Sequence, residues 1–168
     1  DSDAVPPALR GVFTDEPHRG NMMADREMRD GVMTCSAPWT DDMAQEFERR
    51  CGYSLMDRLP ELFYRRQGEE MGEVIRDFFE VTNDLFLERF AAPINDWCEK
   101  HNMIFTGHVL HEDSLPNQSV PHGSLMRFDE HMGYPGIDIL SEGNECYWAA
   151  SQMTSACRQL GKTRLMSE

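Results

Sequence analysis

The stretch Leu9-Arg10-Gly11-Val12-Phe13-Thr14-Asp15-Glu16-Pro17-His18 decides how the rest of the chain is read. An apolar pair, Val12-Phe13, runs into two adjacent carboxylates and a proline. Pro17 has no backbone N–H and biases Glu16 away from the helical region. A strand over Gly11–Thr14 should therefore end here and hold Asp15 and Glu16 at its exit. Side chains alternate along a strand, so at most one of the two carboxylates points at any given spot. Alone, the pattern fits a polar strand end on the surface as well as it fits a catalytic acid. It gains weight because it recurs downstream.

Met103-Ile104-Phe105-Thr106 reads as a strand with no internal alternation, as in a strand covered on both faces. It ends at Gly107-His108, and a polar loop with His111, Glu112 and Asp113 follows. Ile137–Leu140 reads as a third strand, leading to Ser141-Glu142-Gly143. Thr163–Met166 reads as a fourth and exits at Ser167-Glu168. Helices separate these runs. Thr40 is a candidate cap for a helix with Met43, Phe47 and Cys51 on one face and Gly52 at its end. Tyr53 to Phe63 holds a short helix or turn interrupted by Pro60. From Glu69 to Ala92 an apolar stripe of Met71, Val74, Ile75, Phe78, Thr82, Leu85, Phe86 and Phe90 recurs at helical spacing and reads as core. Pro93 should kink or break this helix, and Ile94, Trp97 and Cys98 carry the face on to Lys100. Glu145–Leu160 is a helix with Ala149, Met153, Ala156, Cys157 and Leu160 inward. Residues 18–40 form a long excursion rich in Gly, Met and Arg, with a short strand expected near Gly31–Thr34. Strands alternating with helices imply an α/β fold with parallel strands adjacent in chain order.

The 168 residues suffice for one domain with a core. The chain opens on Asp1 rather than Met and closes on a strand exit, so we expect a fragment of a longer protein, inactive alone. No apolar run is long enough to span a bilayer. The net charge of −14 repels phosphate backbones and argues against a nucleic-acid partner. Five cysteines form no C-x-x-C pair, which gives no indication of a structural zinc site, and their odd number points to a reducing compartment.

In parallel α/β folds the site lies beyond the carboxyl ends of the strands. Here those exits offer Asp15 and Glu16, then His108, His111 and Glu112, then Glu142, then Glu168. Two carboxylates on facing strand ends are what glycoside hydrolysis requires: one protonates the leaving oxygen, the other attacks or activates water. Trp39, Tyr134 and Trp148 are candidates to stack on sugar rings, although core or surface packing explains each as well.

Val12-Phe13-Thr14-Asp15-Glu16-Pro17, Pro38-Trp39-Thr40, Cys51-Gly52-Tyr53-Ser54-Leu55, Phe105-Thr106-Gly107-His108, Pro135-Gly136-Ile137-Asp138 and Arg164-Leu165-Met166-Ser167-Glu168 together resemble the catalytic (β/α)8 TIM-type barrel of large bacterial glycoside hydrolases, in particular the family 106 α-L-rhamnosidases and their relatives. The resemblance implies that residues 1–168 are about strands 4 to 7 of such a barrel, acting on a carbohydrate substrate. It implies that Glu16 is a proton donor on the fourth strand and Glu168 a carboxylate on the seventh. It also implies an inverting mechanism and calcium near the sugar, with Glu112, Glu142 or His108 as base or metal ligand. We read Glu16, Glu168 and Glu112 as catalytic, and Asp15, His18, Trp39 and His108 as substrate-binding. Glu142 and His111 are read as metal ligands. Two alternatives stand beside this: a metal-dependent hydrolase built on His108, His111 and Glu112, with His18, His122 and His131 as further imidazoles, and a non-catalytic carbohydrate-binding barrel.

Overall fold

The computed structural model describes residues 6, 8–20, 27–30, 32–34, 36–64, 72–139 and 147–168. The chain divides into two compact units, one of Asp1–His18 with Phe86–Glu168 and one of Arg19–Leu85.

The first unit holds the sheet. Strand β1 is Gly11–Thr14, as expected from the sequence. The next two strands in the chain, β2 (Glu27–Arg29) and β3 (Val32–Thr34), form a separate antiparallel hairpin. Strands β4 (Ile104–Gly107), β5 (Tyr134–Ile137) and β6 (Met166–Ser167) complete the main sheet, in the order β1-β4-β5-β6. Every pairing in it is parallel. The described residues are thus α/β, with a sheet of four parallel strands in chain order.

Three strand boundaries differ from the sequence reading. β4 lies one residue later than expected. β5 lies three residues earlier and includes Pro135 and Gly136. A Cβ at Gly136 would overlap the carbonyl oxygen of Gly107, so glycine is what lets β5 approach β4 there. Ile139, expected inside the strand, is half exposed. β6 begins at Met166 and has only two residues. β4 alternates in burial, unlike the expectation of a strand covered on both faces; β1 alternates as well, and Phe13 sits among the exposed positions.

Helix α1 (Met43–Cys51) and helix α2 (Glu73–Phe86) precede a π turn over Leu87–Ala91 and helix α3 (Ala92–Lys100). Pro93 was expected to kink or break the helix. The turn before it widens instead, with Ala92 N–H bonding the carbonyl of Leu87, and Pro93 falls in the first turn of α3, where its missing N–H breaks no bond. Trp97 is half exposed and so does not continue the inward face, whereas Cys98 is fully buried. The short helices α4 (Leu115–Ser119) and α5 (Leu125–Asp129) and the long α6 (Tyr147–Leu160) follow. α6 packs on α5 and β5, and α3 packs on β4.

The core of this unit gathers Phe105 of β4, Phe128 of α5, Met153 and Cys157 of α6, and Cys98 of α3. Phe86, Phe90 and Phe128 stack with ring centroids 5.4–6.4 Å apart. Lys162, just past α6, donates through Nζ to the carbonyls of Asp129, Glu130 and Met132. It thereby satisfies the open carboxyl end of α5 and fixes the chain entering β5.

In the second unit α1, a 3-10 turn over Met56–Leu62 and α2 share a core of Met43, Phe47, Leu55, Leu62, Val74 and Phe78. Gly52 ends α1 in the left-handed conformation, φ 80°. The residue at the start of α1 is Asp42 rather than Thr40, whose hydroxyl donates to Asp42 at 3.1 Å. Asp30, φ 51°, turns the β2–β3 hairpin. Among the described residues no helix is long and apolar enough to cross a membrane.

Candidate functional site

The carboxyl ends of the parallel strands carry the chemistry-bearing residues, and one glycine sets how closely two of those ends approach. Gly107, the last residue of β4, has φ 142°, and a Cβ there would overlap the carbonyl oxygen of Thr14. The neighbouring His108 N–H donates to that same carbonyl at 3.2 Å. The exit of β4 is therefore drawn onto the exit of β1, and the His108 ring comes to lie beside Asp15.

His108 is 2% exposed. Its Nε2 lies 2.9 Å from Oε2 of Glu168 and 3.3 Å from Oδ1 of Asp15. The two carboxylates are mostly solvent-facing while the imidazole between them is not. Ionised carboxylates only accept, so Nε2 carries the proton shared with them. Nδ1 is buried with no hydrogen-bond partner. The Phe13 ring stands edge-on to the imidazole at 5.8 Å and limits its tilt. Glu168 is held by its main chain, its N–H donating to Ile137 at 3.0 Å and its carbonyl accepting from Ile139 at 3.2 Å.

Ligand atoms of Asp15, His108 and Glu168 all fall within 4.8 Å of one another, the one such group among the described residues. Calcium takes roughly six to eight oxygen ligands. The cluster offers two carboxylates and an imidazole nitrogen, a set that suits Zn²⁺, Mn²⁺ or Fe²⁺ better, so these residues do not fit the calcium expected from the resemblance.

Glu16 is exposed, outside this cluster, with φ 46°. Its left-handed backbone avoids the right-handed helical region that Pro17 disfavours, as expected. Glu112 is buried, 8% exposed. Its Oε1 accepts the N–H of Val109 at 3.3 Å and its Oε2 that of Asp138 at 2.9 Å. Burial pushes its carboxyl up to about 7, against the pull of these two N–H groups and of His108. His111 is exposed in the left-handed region, φ 59°. The expected grouping of His108, His111 and Glu112 is not formed; His108 groups instead with Asp15 and Glu168. His18 is exposed beyond the β1 exit. Trp39 belongs to the second unit, half exposed, its ring 6.3 Å from that of Phe78. Glu142 lies outside the described residues.

Sequence reasoning named all three cluster residues, Glu168 as catalytic and Asp15 and His108 as substrate-binding, without joining them, because strand-end logic predicts a shared rim and not which side chains touch. It missed Asp129, fully buried, with neither carboxylate oxygen hydrogen-bonded. In the sequence Phe128-Asp129-Glu130 looks like an ordinary surface turn.

No protein-family model and no curated protein matches the chain. Among solved structures it is similar to a rhamnosidase from Novosphingobium sp. PP1Y, with a TM-score of 0.67 and 19% identity. The match covers 95% of this chain and 14% of that one, so the chain spans a small part of the length of the protein it matches. At this identity the likeness shows the fold alone.

Proposed function

We propose that the chain is the central part of a glycoside hydrolase barrel, α-L-rhamnosidase-like, cleaving a glycosidic bond by a two-carboxylate mechanism. The observation that carries this reading is the convergence of Asp15, His108 and Glu168 where parallel strands end. The fold likeness to a rhamnosidase supports it. In this reading Glu16, exposed at the rim, donates a proton to the leaving glycosidic oxygen. Glu168, hydrogen-bonded to His108, activates a water on the opposite side of the sugar. Asp15 and His108 bind sugar hydroxyls.

The test uses the intact protein. Glu16→Gln should cost about 10²–10⁴-fold on a natural glycoside and far less on an activated aryl glycoside, whose leaving group needs no proton. Equal losses on both would remove Glu16 as the acid. A separation of about 6.5–9.5 Å between the Glu16 and Glu168 carboxyls in a complete structure indicates inversion, about 5–5.5 Å a covalent intermediate.

The mutual approach of one imidazole and two carboxylates within 4.8 Å favours a second reading, a transition-metal hydrolase site on Asp15, His108 and Glu168. Activity lost to a chelator and restored by Zn²⁺ or Mn²⁺, and abolished by His108→Ala, would select it over the first.

A further inference from the structure

On the β5 side of the cluster the sheet is paired over short ladders. β4 pairs with β5 through Thr106↔Tyr134 and Gly107↔Pro135 alone, and Pro135 has no N–H to give. β5 pairs with β6 through Gly136↔Met166 and Ile137↔Ser167. These two ladders are short, whereas β1 and β4 pair over four positions. Glu112 bridges the exits of β4 and β5. One oxygen takes the N–H of Val109, the residue after His108, at 3.3 Å; the other takes the N–H of Asp138, the residue after β5, at 2.9 Å. From Asp138 the connection continues, since Ile137 and Ile139 on either side of it bond the main chain of Glu168. The Glu112 loop is itself tied down by Gln118, whose Nε2 donates to the Glu112 carbonyl at 2.8 Å.

We infer that Glu112 is a positioning residue: its carboxylate clamps the backbone beside His108 to the backbone beside Glu168, so that imidazole and carboxylate meet at 2.9 Å. A proton donor or nucleophile must present an oxygen to the substrate. Here each oxygen is turned onto a main-chain N–H and the residue is buried, which argues against a reacting role for Glu112. The inference deepens the site proposed above, but the clamp itself needs only the cluster geometry.

The test is NMR on the intact protein, with ¹⁵N and ¹³C labels. In the wild type, a coupling across the hydrogen bond from the Asp138 amide nitrogen to the Glu112 carboxyl carbon is expected, and its absence overturns the clamp. In Glu112→Gln, which keeps the size but offers one acceptor oxygen instead of two, amide exchange at Val109 and Asp138 should rise about tenfold or more, while amides of α6 stay protected. The His108 ring nitrogens should shift from a single Nε2–H tautomer toward the average of a free imidazole. Unchanged exchange and an unchanged His108 signature in the folded variant would overturn the inference. Should Glu112→Gln fail to fold, the wild-type coupling decides alone. On a substrate, the variant should lose kcat about tenfold or more with KM nearly constant. A protein that turns over no glycoside but shows the coupling and the exchange changes keeps the clamp and loses the glycosidase reading. Turnover with kcat unmoved in Glu112→Gln does the reverse.

Discussion

Asp129 gives the sharpest physical test of the fold, through the substitution Asp129→Asn. Its side chain is 0% exposed at the end of α5 and neither oxygen has a hydrogen-bond partner. Lys162 is near, but its ammonium is spent on main-chain carbonyls, that of Asp129 included. Burial lifts the carboxyl from its ordinary 3.8 to about 8; the charge of Glu112 adds to this, and Lys162 opposes it. The folded state therefore keeps a proton that the unfolded chain has already released. The sign follows: this group costs nothing below pH 3.8, and its cost grows with pH until about 8, where it is fully present. The slope is about 1.4 kcal/mol per pH unit, so from pH 4 to pH 7 the wild type loses roughly 4 kcal/mol on account of this one group. Asparagine does not titrate. Its buried amide carries a penalty too, but one independent of pH. Guanidinium unfolding of both proteins at pH 4, 5.5 and 7 should thus show the stability difference moving toward the variant by about 4 kcal/mol across that range, at unchanged m-value. Curves that run parallel over the range would show an ordinary carboxyl at position 129 and refute the burial on which the number rests.

Gly107→Ala should be among the most damaging single-methyl changes, since φ 142° and the Thr14 carbonyl both reject a Cβ; strain alone costs about 1–3 kcal/mol, and an unchanged melting temperature would contradict the described β1–β4 approach. Phe105→Ala removes a ring that is 0% exposed between β4 and Phe128 and should cost about 3–5 kcal/mol in chemical denaturation. Lys162→Met keeps the aliphatic stem but leaves three carbonyls without their donor; a loss of about 1–3 kcal/mol is expected by thermal melting, with faster amide exchange at Met132 and Gly133.

The parts of the fold that announce themselves do so through periodicity and punctuation. Gly11–Thr14 ends where Pro17 and its carboxylates say it should, and β-helix alternation is enough to order the four strands. β5 was displaced because Pro135 and Gly136 are residues that ordinarily exclude a strand; only the neighbouring carbonyl of Gly107 explains why glycine is needed there. α4 and α5 are five residues each, too short for a helical period to register. The β2–β3 hairpin had a readable signal, Asp30-Gly31 between two short runs, which the surrounding glycines and methionines obscured. At the site, strand exits located Asp15, His108 and Glu168. That Glu112 turns back on the main chain depends on the path of the loop over residues 108–112, which no spacing rule encodes.

β6 is two residues long, and the stretch leading to it adds a second constraint to the one its own pairing supplies. Lys162 is anchored on the chain before β5, and five residues, Thr163 to Ser167, separate it from Glu168. An extended chain advances about 3.3 Å per residue and reverses its side chains at each step. One inserted residue would carry Glu168 farther than its whole separation from His108 and point it to the opposite face. The segment behaves as a ruler. In a scan of substitutions and indels, exposed Thr163 should accept nearly any residue, while a gain or loss of one position anywhere between Lys162 and Glu168 should dismantle the cluster and leave the core of α5 and α6 intact.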